Sequence, residues 1–191
     1  MNAKKMASLG LACTAAILFQ SAHAVDASDG TINFTGMMIE QTCSVSINGQ
    51  AGASPTITLP TVTTQGLNGE GTQGATKGDT LLKFVLTGCT GAATKARVFF
   101  ENAGSATVYQ GGAYPFNLKN TSSDSDAAAG VALQLYDVTG TPIRVGDAAQ
   151  RNLPAVTLGG EMVYGVRYLS ITVAATPGPF TASATYSLDY L

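Results

Sequence analysis

From Gly30 onward the apolar residues of this chain recur at every second position, in short runs set apart by Gly, Asn, Asp and Pro. A period of two places alternate side chains on opposite faces of an extended strand and is the pattern of strands rather than helices. Ile57 and Leu59 form one such run, and Leu82, Phe84 and Leu86 another. Val131, Leu133 and Leu135 make a third, and Tyr164, Val166 and Tyr168 a fourth. The longest closes the chain: Phe180, Ala182, Ala184, Tyr186, Leu188 and Tyr190, with Gly178 just ahead of it. The earliest has Gly30, Ile32 and Phe34 on one face, and Asp29, Thr31 and Asn33 on the other. Such half-apolar strands need partners for both their backbone groups and their buried face. The expected fold is therefore all-β, a sandwich of seven or so strands with no long helix, no internal repeat and no second domain.

The strand boundaries follow from the same alternation. Met38–Ile47 is expected as a first strand, with Cys43, Val45 and Ile47 on one face and Asn48-Gly49 as its turn. Thr56–Val62 is expected as a second. Gln65–Gly78, rich in Gly, Thr and Gln, is expected to be an exposed loop. A third strand runs from Leu82 towards Cys89, and Lys95–Glu101 follows with Val98 and Phe100 inward. Asp124 is placed as the cap of a short turn through Ala127–Ala129, and Asp137-Val138-Thr139-Gly140 as a turn closing the strand of Val131.

The N-terminus has the pattern of a cleaved export signal, residues 1–24. Lys4 and Lys5 precede a mostly apolar run from Met6 to Phe19, too short for a comfortable bilayer span, and Ala22-His23-Ala24 supplies a small-x-small cleavage site. A lipoprotein signal acylated at Cys13 is the competing pattern. It is the poorer match, because Gly10 stands where a Leu is expected.

Removing that segment narrows the available chemistry. Without Lys4 and Lys5, eight basic residues face 12 acidic ones, a formal charge of −4 that leaves no footprint for nucleic acid or an anionic membrane. The only His, His23, departs with the signal, so no Ser-His-Asp or Cys-His arrangement can be built. Glu40, Glu70, Glu101 and Glu161 are scattered, as solvated surface carboxylates are. Asp124-Ser125-Asp126 fails as a calcium loop, because Ala128 and Ala129 stand where a ligand and a glycine are needed. No metal or cofactor site emerges, and the expectation is a protein that is not an enzyme. Cys43 and Cys89 remain, and in an exported chain an even pair reads as a disulfide, contributing about 4 kcal/mol by constraining the unfolded chain.

The motifs, taken in order, resemble those of one family. Gly30-Thr31-Ile32-Asn33-Phe34-Thr35-Gly36 with Cys43 beyond it is similar to the opening of chaperone–usher pilins, the structural subunits of type 1-like fimbriae. Leu82-x-Phe84-x-Leu86-x-x-Cys89 resembles the approach to their second cysteine. Gly130-Val131-Ala132-Leu133-Gln134-Leu135-x-Asp137-x-x-Gly140 matches a further block. The penultimate Tyr190 and Gly178, fourteenth from the end, complete the likeness. Met37 and Met38 depart from it, standing where the family often has a β-branched residue.

This resemblance implies an incomplete immunoglobulin-like β-sandwich lacking its last strand, with an N-terminal donor-strand extension. The domains would be the signal peptide 1–24, the extension 25–36 and the pilin domain 37–191. Ser28, Gly30, Ile32 and Phe34 would be donor-face residues, continuing towards Asp26. Gly178, Phe180, Tyr186, Leu188 and Tyr190 would belong to an acceptor groove, and Cys43–Cys89 would be the bridge. The implied partners are other pilin subunits in a homopolymer, a periplasmic chaperone, an outer-membrane usher and a host-surface receptor. The implied location is a fimbrium on the bacterial surface, reached through the periplasm. Two other readings remain: a minor or adaptor pilin of the same fold, and a self-contained secreted carbohydrate-binding sandwich. The second is weakened by the absence of Trp.

Overall fold

Asn48 and Gly49 both take positive φ, 52° and 77°, the left-handed pair that a two-residue hairpin needs. They join β1 (Thr42–Ile47) to β2 (Gln50–Ala51) in a computed structural model that describes residues 42–67 and 73–191. All of these lie in one compact unit, Met38–Leu191; the other unit, Met1–Met37, is outside the described residues, and with it the expected signal and donor strand. The chain continues through β3 (Thr76–Thr90), β4 (Lys95–Glu101), β5 (Leu118–Lys119), β6 (Val131–Tyr136) and β7 (Pro142–Ile143). After a 3-10 turn at Ala148–Asn152 come β8 (Val156–Thr157), β9 (Glu161–Ser170) and β10 (Thr185–Tyr190).

Two antiparallel sheets result. The larger runs β2-β1-β3-β9-β6-β5, with β7 also on β6, and the smaller runs β10-β4-β8. Phe84 and Leu86 of β3, Val98 and Phe100 of β4, Leu135 of β6 and Tyr164 of β9 are buried together between them. The ring of Phe84 meets Phe100, Tyr164 and Tyr186 edge-on, at centroid distances of 6.3, 5.9 and 5.1 Å. Such edge contacts stabilise the core beyond the area they bury. Cys43 and Cys89 are bridged with their Cα atoms 4.1 Å apart, tying β1 to β3.

Four expectations need correction. Thr56–Val62 joins no ladder among the described residues, although Ile57, Leu59 and Val62 are half-buried against the core. Alternation announced the buried face, but a ladder also needs a neighbouring strand. Gln65–Gly78 is not simply an exposed loop: Leu67 is buried, and β3 begins at Thr76. Gly78 (φ 74°) sits at the register shift between Lys77 and Thr80, where a Cβ would come within 2.9 Å of Val62. A bulge of this kind reads as turn chemistry in sequence. The final strand is regular only from Thr185, and Ala184 is exposed. Asp124 caps nothing: its carboxylate accepts from Ser122 Oγ (2.7 Å), while its carbonyl accepts from Ala127 N.

The edges of β4 show how this sandwich satisfies its backbone. Lys95 exchanges both hydrogen bonds with Leu191, so Arg97, Phe99 and Glu101 also face β10, and Ala96, Val98 and Phe100 face the other way. Ala96 meets Val156 of β8. Val98 N donates to Tyr164 Oη (3.0 Å), and Phe100 N donates to Gln150 Oε1 (2.9 Å). Gln150 Nε2 returns a bond to Phe100 O (3.0 Å). Two side chains thus stand in for a missing strand. Burial pushes the Tyr164 phenol above its ordinary range, against the smaller pull of the Val98 N–H and Arg97, and keeps it neutral.

The approach to β10 depends on one glycine. Gly178 has φ 152°, and a Cβ there would collide with Asp126 O and come within 2.6 Å of Ala128 N. These are backbone atoms and cannot rotate away.

Two substitutions test this description. Tyr164→Phe keeps the ring and strips the acceptor from Val98 N–H, and chemical denaturation should show a loss of about 1–3 kcal/mol. Gly178→Ala should cost more than about 2 kcal/mol, or prevent folding, whereas Gly140→Ala, with open space around it, should cost only the strain of its positive φ, about 1 kcal/mol.

Candidate functional site

On β10 the alternation that serves β4 so well leaves a remainder. Thr185, Ser187 and Asp189 face β4, so the backbone N–H and C=O groups of Tyr186, Leu188 and Tyr190 point away from it. No described residue bonds to them. Unlike Val98 and Phe100 on β4, they have no side chain standing in for a strand among the described residues.

Alongside this edge runs the segment 53–62, in the opposite chain direction. Tyr186 Oη donates to Ala53 O (3.0 Å) at one end, and at the other Leu59–Val62 line the same cavity as Gly178 and Phe180. That cavity has a volume of about 370 Å³, with Leu67, Val131 and Tyr168 also in its walls. No backbone hydrogen bond joins residues 54–62 to another described residue. Both walls of the trough therefore present backbone groups with no partner among the described residues, and Ile57, Leu59, Phe180, Ala182, Tyr186, Leu188 and Tyr190 pack on the core.

The chemistry of this trough is uniform. The cavity lining contains no Asp, Glu, His, Lys or Arg. Tyr168, Tyr186 and Tyr190 are neutral phenols at neutral pH, and burial raises each of them further above its ordinary range. Such a surface can accept backbone and apolar side chains; it offers nothing for proton transfer or metal ligation. Among the described residues, no cluster of three or more His, Cys, Asp or Glu could hold a metal ion.

The five residues expected from sequence to form an acceptor groove all border this trough: Gly178 and Phe180 at the cavity, Tyr186 where it reaches Ala53, and Leu188 and Tyr190 along the edge that has no described partner. Ser28, Gly30, Ile32 and Phe34 lie outside the described residues. Sequence reasoning missed Leu67, Ala175 and Tyr168 as wall residues. Leu67 had a signal, being the only large apolar residue between Gln65 and Gly78. Ala175 had none.

Comparison with known proteins identifies the family of the chain. Residues 32–191 match the family model described as "Fimbrial protein". The chain is 35% identical over 175 residues to the major fimbrial subunit SMF-1 of Stenotrophomonas maltophilia, covering 87% of this chain and 95% of that one. It is 30% identical over 192 residues to the type-1 fimbrial protein A chain of Escherichia coli K12, covering 97% and 94%. Among solved structures, the P pilus rod subunit PapA superposes with a TM-score of 0.50 at 16% identity, over 85% of this chain and 99% of that one, a likeness of fold. The all-β sandwich thus has the immunoglobulin-like fold of pilins, and the chain belongs to the fimbrial protein family, a structural subunit of surface fimbriae rather than an enzyme.

Proposed function

We propose that this chain is a rod-forming major subunit that polymerises by donating its N-terminal extension, residues 25–36, to the trough of a neighbouring copy. The observation that carries the reading is the outer edge of β10, where Tyr186, Leu188 and Tyr190 offer backbone groups to which no described residue bonds. Strand addition to such an edge gains ladder hydrogen bonds, and alternate side chains fill the trough. In the donor, Gly30, Ile32 and Phe34 share one face, with Ser28 continuing it. Burying Ile32 and Phe34 would contribute about 1.5–3 kcal/mol each. Each ladder bond would add about 0.5–1.5 kcal/mol, before the cost of ordering the extension.

The same deficit explains the partners. A subunit with an open edge is an aggregation hazard on its own. After removal of residues 1–24 it would be held by a periplasmic chaperone that lends a strand. An outer-membrane usher would then exchange that strand for the next subunit's extension and deliver the fibre to the cell surface. The likeness to a relative named as a major subunit favours a rod component over a minor or adaptor pilin.

Deleting residues 25–36 separates donation from acceptance. The full chain, expressed with its chaperone and usher, should give SDS-resistant ladders that collapse on heating. The deletion variant should still bind chaperone and accept a donor, yet build no ladder of its own. Ladders of undiminished length from the deleted chain would overturn the proposal.

A further inference from the structure

Asn120 lies just beyond β5, half-buried, and all four hydrogen-bonding positions of its carboxamide are taken. Its Nδ2 donates to Ala128 O and to Pro179 O, both at 2.9 Å. Its Oδ1 accepts from Ser122 N and from Thr181 N, both at 3.0 Å. Two of these bonds fall on the residues immediately before and after Phe180. The neighbouring backbone adds to the hold: Thr121 N donates to Thr181 O (2.7 Å), and Ala128 N donates to Pro179 O (3.0 Å).

Phe180 is therefore bracketed. Its ring meets Tyr168 edge-on at 5.5 Å and lines the 370 Å³ cavity beside Leu59, Val62 and Val131. Apolar walls around a water-accessible space of this size favour collapse, since closing it would remove their surface from water. What opposes collapse is the fixed position of the Phe180 backbone, and the side chain that fixes it belongs to a different part of the chain. The opposite wall has no equivalent, because residues 54–62 make no backbone bond to another described residue.

We propose that Asn120 is a positioning residue of the trough: by clamping Pro179 and Thr181 it holds Phe180 against Tyr168 and keeps the cavity open for an incoming strand. This rests on the strand-acceptor reading above. In it the β10 side of the trough is a rigid template, and the 54–62 side is the wall that adjusts.

The test uses the full mature chain and a fluorescent synthetic peptide of residues 25–38 as the strand. Uptake rate is measured well below the melting temperature for the unaltered chain and for Asn120→Ala, Asn120→Asp and Asp137→Ala. Asp137 is the control: its Oδ1 accepts from Thr139 N, Thr139 Oγ1 and Thr141 N in the β6–β7 turn, at the end of β6 away from the cavity-lining Val131. The clamp predicts a fall of about tenfold for Asn120→Ala, the factor that lost amide hydrogen bonds carry, and less than about twofold for Asp137→Ala even if both lower the melting temperature equally. Asn120→Asp, which keeps the acceptor but turns an oxygen towards Ala128 O and Pro179 O, should be slow at pH 7 and recover as acidification returns a donor. Equal slowing by Asn120→Ala and Asp137→Ala at equal loss of stability would make Asn120 a merely structural residue and overturn the clamp alone. Failure of the unaltered chain to take up the peptide at all would overturn the strand-acceptor reading, and the clamp with it.

Discussion

Every backbone N–H and C=O that is shut away from water needs a partner, and one edge of this sandwich lacks them among the described residues. Among the described residues the smaller sheet runs β10-β4-β8, and β8 contributes two residues to it. Three successive outward-facing residues of β10, with apolar side chains below them, can be satisfied by water or by another strand. Water satisfies the backbone but leaves the trough wet. A strand satisfies both, and that asymmetry favours strand addition at this edge.

The same molecule shows that an open edge is not forced on it. On β4, the hydroxyl of Tyr164 and the amide of Gln150 occupy the positions that strand groups would hold. Both are anchored deep in the core: Tyr164 packs edge-on against Phe84 and Phe100, and Gln150 is buried. Tyr164 belongs to the same buried cluster as Phe84, on which Tyr186 of β10 packs. The core therefore caps the backbone of β4, while the outer groups of β10 have no partner among the described residues. That contrast is what supports strand addition at β10. The family to which the chain belongs supports another fimbrial subunit as the partner.

Much of this was legible in the sequence, for reasons that also mark where legibility stops. Alternation located β4 to the residue and placed Phe84, Leu135, Tyr164 and Val166 inside. Asn48-Gly49 announced its hairpin because only residues tolerant of positive φ serve there. Alternation reports faces, however, and not edges. It could not distinguish Thr56–Val62, which has a buried face and no ladder, from a paired strand. Nor could it separate Phe180–Ala184, held by Asn120 and Thr121, from the regular β10 that follows. Composition misled at Gly78, where a bulge inside β3 looks like loop. The polar bracket around Phe180 was invisible, because a single Asn carries no periodic signal.

The openness of β10 is most directly read by amide hydrogen exchange, residue by residue, on the isolated subunit and on assembled fibres. Thr185, Ser187 and Asp189, whose backbone faces β4, serve as internal references and should be protected in both. The amides of Tyr186, Leu188 and Tyr190 should exchange fast in the isolated subunit and become protected in the fibre. Protection of all six in the isolated subunit would mean that the edge is already closed, and would contradict the interpretation at its root.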